Sequence, residues 1–125
     1  MRSGMIPTEA QEQEALFRWA QWLSGKYPEL KLMHHIPNGG SRNPVEAARL
    51  KAQGVLAGIP DIFLPAARGE YHGLYIEMKR QKGGRLSEDQ KIMIDALRHQ
   101  GYRVVVCRGC EDAMNVIKSY LEGDE

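Results

Sequence analysis

Hydrophobic spacing along this chain changes from helix-like to strand-like several times. Leu16, Trp19, Ala20 and Leu23 recur at helical intervals and form one apolar stripe. Thr8 and Gln11 frame its start as a capping box, and Gly25 is the expected stop. The run K-L-M-H-H-I (31–36) predicts a first strand ended by Pro37, followed by the turn-rich loop P-N-G-G-S-R. Asn43-Pro44, a cap followed by a first-turn proline, opens a short helix that Gly54 closes. Gly54 and Gly58 then bracket an apolar connector suited to tight packing before Asp61. Two short β-prone runs follow, Ile62–Leu64 and Leu74–Ile76, joined by A-A-R-G-E-Y-H-G and so predicted to pair antiparallel. Ser87 and Gln90 form a second capping box before Ile92, Met93, Ala96 and Leu97, with Gly101 as the stop. The apolar run Tyr102–Cys107 predicts a buried strand. Glu111–Leu121 predicts a last helix with Ala113, Met114, Ile117 and Leu121 inward. The order is α-β-α-β-β-α-β-α: an α/β fold with a mixed sheet flanked by helices. Residues 8–122 read as one domain after a flexible segment, 1–7.

Charge breaks this pattern at one place. Asp61 stands at the mouth of the second strand, and Glu77 and Lys79 lie inside the third. Side chains alternate across a strand, so Glu77 and Lys79 share a face with Tyr75. An isolated E-x-K on a strand is ordinarily a solvated edge with a surface ion pair. Asp61, just across the turn, alters that reading by bringing a second carboxylate to the same region. Two close carboxylates repel, and a hard divalent cation, Mg²⁺ or Mn²⁺, between them removes the repulsion. A neighbouring lysine can then hold a water or meet charge developing on a phosphate.

These residues carry a family resemblance. Pro60-Asp61 followed by Glu77-Met78-Lys79 is similar to the PD-(D/E)XK nuclease signature. The fuller pattern of G-I-P-D, L-Y-I-E-M-K-R and L-S-x-x-Q resembles the VRR-NUC (virus-type replication-repair nuclease) domain, from about Thr8 to about Leu121. The resemblance implies a restriction-endonuclease-like core and Mg²⁺- or Mn²⁺-dependent cutting of DNA. It implies metal ligation by Asp61, Glu77, a first-helix acid and the Met78 carbonyl, with Lys79 and Gln90 beside them. Glu9, with Gln13 and Trp19, matches the family spacing for that acid. Glu12, three residues on, remains an alternative, and helix-dipole stabilisation alone also accounts for both. By the same resemblance Asn38 and Arg42 are candidate phosphate contacts; otherwise they are turn residues. Arg80, Lys82 and Arg85 form a basic loop able to meet phosphates, or an ordinary solvated loop. His34 and His35 face opposite sides of a strand and cannot both ligate one metal. The implied partner is branched DNA, such as a Holliday junction cut by a homodimer, in a phage or its bacterial host. A monomeric flap or nick nuclease, and a non-catalytic DNA-binding module, are the alternatives. No nucleotide cofactor is expected.

Composition narrows the field only slightly. The 125 residues are 42% hydrophobic and 26% charged, ordinary for a globular domain, and the net charge is +1. That charge is no nucleic-acid signature by itself, although a bound cation would add to it locally. No apolar run approaches a membrane span, and the N-terminus lacks the apolar core of a signal peptide. Cys107 and Cys110 are the only cysteines; C-x-x-C without a second pair reads as structural thiols in a reducing, cytoplasmic setting.

Overall fold

Helix α1 spans Glu9–Leu23 in the computed structural model, which describes residues 5–38 and 43–124. Its capping box closes as expected: Gln11 N donates to Thr8 Oγ1 at 3.1 Å, and Thr8 N donates to Gln11 Oε1 at 2.9 Å. Ser24 caps the other end, one residue before the expected glycine.

The first strand differs from expectation. Pro28–Leu32 form a 3₁₀ turn, and β1 is only His34–His35. Leu30 and Met33 are both buried, and their spacing of three is the period of a 3₁₀ turn. Leu30 and Met33 therefore form the inner face of a turn, while Leu32 between them is exposed and the chain is not extended.

Helix α2, Pro44–Ala52, is capped by Asn43 Oδ1, which accepts from Val45 N and Glu46 N; none of its residues is buried. Strand β2, Ile62–Leu64, pairs antiparallel with β1 and with β3, Leu74–Lys79. Strand β4, Arg103–Arg108, lies parallel to β3, and the sheet order is β1-β2-β3-β4. A parallel pair needs a crossover, and α3, Glu88–His99, supplies it. Helix α4, Cys110–Glu122, ends the fold. The expected fully buried last strand is an edge strand, so several of its residues keep partial exposure.

The alternation of β3 divides the fold into two sides. Leu74, Ile76 and Met78 join the main core with Leu16 and Ala20 of α1 and Ala113, Ile117 and Tyr120 of α4. Tyr75, Glu77 and Lys79 point the other way. On that side α3 packs against β4, with Ile94 and Val104 buried outside the main core. Among the described residues no helix is long and apolar enough to cross a membrane.

The connector before Asp61 is packed tightly only at its second glycine: a Cβ added at Gly54 would meet nothing within 4 Å, and Leu56 and Ala57 are exposed. Gly58 has φ +82°, and a Cβ there would lie 2.5 Å from the Asp89 carbonyl oxygen. Both the left-handed backbone and the contact demand glycine. Gly58→Ala is therefore expected to destabilise the fold by about 1–3 kcal/mol, read as a lowered urea midpoint with unchanged slope.

Candidate active site

Three secondary elements bring the site together. Strand β3 supplies Glu77 and Lys79, the entry to β2 supplies Asp61, and the first turn of α3 supplies Gln90. The second capping box is present, so Gln90 Oε1 accepts from Ser87 N at 2.9 Å. The same side chain turns its amide nitrogen to Glu77 Oε2, at 2.9 Å. Its oxygen also accepts from Lys79 Nζ at 3.3 Å. Capping and site contact are thus performed by one amide.

Glu77 and Lys79 are 2% and 7% exposed, which excludes the solvated edge pair. Lys79 Nζ lies 3.6 Å from Glu77 Oε2. The other carboxylate oxygen, Glu77 Oε1, is buried and has no hydrogen-bond partner among the described residues. Leaving such an atom without a partner is costly. Burial, and then the nearby Asp61 charge, push the Glu77 carboxyl up to about 8; Lys79 offsets part of the rise.

Asp61 is held from two sides. Its Oδ2 accepts from Met78 N at 2.7 Å, tying the side chain to β3. Its backbone carbonyl accepts from Ile36 N at 2.7 Å and from His35 Nδ1 at 2.8 Å. Because a carbonyl only accepts, His35 carries its proton on Nδ1. His35 thus fixes the backbone of Asp61, a role invisible in the sequence because it depends on the β1–β2 register.

The two candidate acids of α1 separate cleanly. Glu12 is 6% exposed, and both its oxygens are engaged: Oε1 accepts from Cys110 N and Oε2 from Gln81 Nε2, each at 3.0 Å. Gly109, the N-cap residue of α4, has no side chain to cap with, and Glu12 does so from another helix. Glu9 is half-buried, and its Oε2 lies 4.0 Å from the position a Cβ on Gly84 would take, beside the stem of Lys79. Among the described residues, no three His, Cys, Asp or Glu side chains gather tightly enough to hold a metal ion. Asp61 and Glu77 form a facing pair, and Glu9 lies on the Lys79 side of it.

The remaining candidates stand further out. Asn38 is exposed and lines a groove of about 400 Å³ with Ala47, Lys51 and residues 54–57. Arg42 lies outside the described residues. Arg80, Lys82 and Arg85 are exposed on the loop after β3. Cys107 and Cys110 are free, and burial pushes the Cys107 thiol up to about 12 and the Cys110 thiol upward. Neither offers a ready thiolate for a metal or redox role.

An oxygen-rich pair with one unpartnered buried atom matches the donors a hard divalent cation takes. With that geometry in view, comparisons with known proteins give the class. The chain belongs to the VRR-NUC domain family, whose model matches residues 7–111. A solved structure described as a VRR_NUC domain protein shares 31% identity with it, at a TM-score of 0.78, covering 94% of this chain and 91% of its own. No curated protein matches. Membership makes this a nuclease-type, DNA-processing domain.

Two measurements separate these roles. Glu12→Ala is expected to cost about 1–2 kcal/mol by uncapping α4, whereas Glu9→Ala should change denaturant stability by less than about 0.5 kcal/mol. Without divalent cations, the raised Glu77 carboxyl makes the folded state bind more protons than the unfolded one. Its contribution is fully present below the ordinary carboxyl range and is lost as pH rises towards about 8. The melting temperature of Glu77→Gln should therefore overtake that of wild type as pH is raised from 5 to 8, in the presence of EDTA.

Proposed function

We propose that this domain is a Mg²⁺- or Mn²⁺-dependent deoxyribonuclease that hydrolyses phosphodiester bonds in branched replication or repair intermediates. The observation that carries this reading is the buried Glu77 carboxylate, facing Asp61 with one oxygen unpartnered and Lys79 beside the other. Burying Glu77 and Lys79 on a strand, with a half-buried second acid beside them, costs the fold stability that a bound ligand offsets. A purely DNA-binding module has no use for paired acids facing an anionic ligand.

Each side chain has a separable part. Asp61 and Glu77 would hold the cation, with Glu9 and the Met78 carbonyl as further donors. When bound, the cation supplies Lewis acidity to water and to the phosphate. Gln90 fixes the Glu77 carboxylate through Oε2 and leaves Oε1 free to ligate. Lys79, aimed by Gln90 Oε1, orients the attacking water and carries positive charge towards the phosphate. Water oxygen bonds to phosphorus as one ester P–O bond breaks, and the proton passes to the leaving oxygen.

Symmetrical incision of a four-way junction needs two such sites, so a resolvase reading carries a C₂ homodimer. Action on a flap or nick needs only one. Sedimentation combined with a cleavage panel of junction, flap, nicked and linear DNA separates them. Asp61→Asn and Glu77→Gln should bring Mg²⁺-dependent cleavage below detection, and Lys79→Ala should slow it roughly 10²-fold or more. Calorimetry should show Mn²⁺ binding to wild type and not to Asp61→Asn. Cleavage by Glu77→Gln at the wild-type rate would sink the assignment.

A further inference from the structure

The loop after β3 is basic, glycine-rich and exposed, yet it is not loosely attached. Arg108, the last residue of β4, lies directly opposite Lys79 in the parallel register. Its guanidinium gathers the carbonyls of this loop. Nη1 donates to Gly83 O at 2.6 Å and to Arg80 O at 3.2 Å, and Nη2 donates to Gly84 O at 3.2 Å. Gly83 and Gly84 both have positive φ, at +77° and +69°. The loop is also tied elsewhere: Gln81 Nε2 donates to Glu12 Oε2 at 3.0 Å, and Arg80 Nη2 donates to Ile6 O at 3.4 Å. A Cβ on Gly84 would sit 3.6 Å from Lys79 Cδ, so the clamped loop runs alongside the candidate catalytic amine.

Lys82 and Arg85 are the exposed cations of this loop that no protein acceptor engages among the described residues. A cation on a flexible loop must be ordered when it meets a phosphate, and that ordering subtracts from affinity. One on a fixed loop avoids the loss. A guanidinium suits this task because its planar fork bonds several carbonyls at once and never loses its charge.

We infer that Arg108 is a positioning residue for DNA binding. By gathering the carbonyls of Arg80, Gly83 and Gly84, it fixes the loop that presents Lys82 and Arg85 to the phosphates next to the Glu77–Lys79 site. The inference rests on the nuclease reading above for its ligand but not for the clamp itself. The clamp orders the loop before DNA arrives, and Arg108 spends its own donors on protein carbonyls.

The test uses the intact chain and two independent readouts. Limited trypsin digestion reads loop order without DNA, since Arg80, Lys82 and Arg85 are cleavage points. Arg108→Ala should speed cutting there about tenfold or more while thermal stability falls only modestly. Arg108→Lys, with a single ammonium in place of the fork, should be intermediate. Affinity for a four-way-junction DNA in Ca²⁺, measured against salt, gives the second readout. Lys82→Ala/Arg85→Ala should flatten the log–log salt slope by about 2, and Arg108→Ala should weaken affinity about tenfold in the wild-type background. Added to Lys82→Ala/Arg85→Ala, Arg108→Ala should weaken it no further. Equal weakening in both backgrounds would mean that Arg108 contacts DNA itself and would overturn the inference. So would an unchanged digestion pattern in Arg108→Ala and Arg108→Lys. Loss of loop protection in a protein that binds no DNA at low salt would uphold the clamp and overturn the nuclease reading instead.

Discussion

A carboxylate in the interior of a β-sheet has to be answered by something. Glu77 is answered on one oxygen by the Gln90 amide and the Lys79 ammonium, and on the other by no hydrogen-bond partner among the described residues. Water cannot easily reach it, and Asp61 makes the electrostatic situation worse. The surrounding structure consists largely of devices that hold this unfavourable arrangement in place. Asp61 is pinned by Met78 N at its side chain and by β1 at its carbonyl. Gly58 presses the connector onto the backbone of α3. The first turn of α3 is fixed by its own capping box, which aims Gln90.

The opposite side of the sheet makes that strain tolerable. Leu74, Ile76 and Met78 are nearly inaccessible and pack with α1 and α4. Burial of this size supplies several kcal/mol, enough to carry a destabilising polar cluster on the other face of the same strand. Strand β3 is therefore divided by its own alternation, one side stabilising the fold and the other carrying the candidate site.

Glu12 and Arg108 show a second tier of organisation. Each is a charged residue spent on backbone groups that would otherwise lack partners: the first amide of α4 for Glu12, the loop carbonyls for Arg108. They meet at the loop after Lys79, since Glu12 also holds Gln81. The N-terminal part of α1, the β4–α4 junction and the basic loop form one connected network beside the site. Glu9 and Glu12, a single turn apart on one helix, are divided by it into a side chain facing Lys79 and a structural cap.

Apart from placing Gln90 with Asp61, Glu77 and Lys79, which only the family resemblance implied, the sequence by itself determined the element order, both capping boxes, the central antiparallel pair and the shared face of Glu77 and Lys79. Those features follow from local periodicity, local hydrogen bonding and strand alternation, which act over a few residues. Tertiary structure alone decided that Leu30 and Met33 form the inner face of a 3₁₀ turn, that the last strand lies at an edge, and that Glu12 caps a helix far along the chain. It also decided the tether from His35 to Asp61 and the hold of Arg108 on its loop. Each of these depends on which groups lie within about 3 Å after residues distant in sequence have packed. Hydrophobic spacing carries no record of such partners, because a buried acid bound to a metal and a buried acid bound to an amide are written with the same letter.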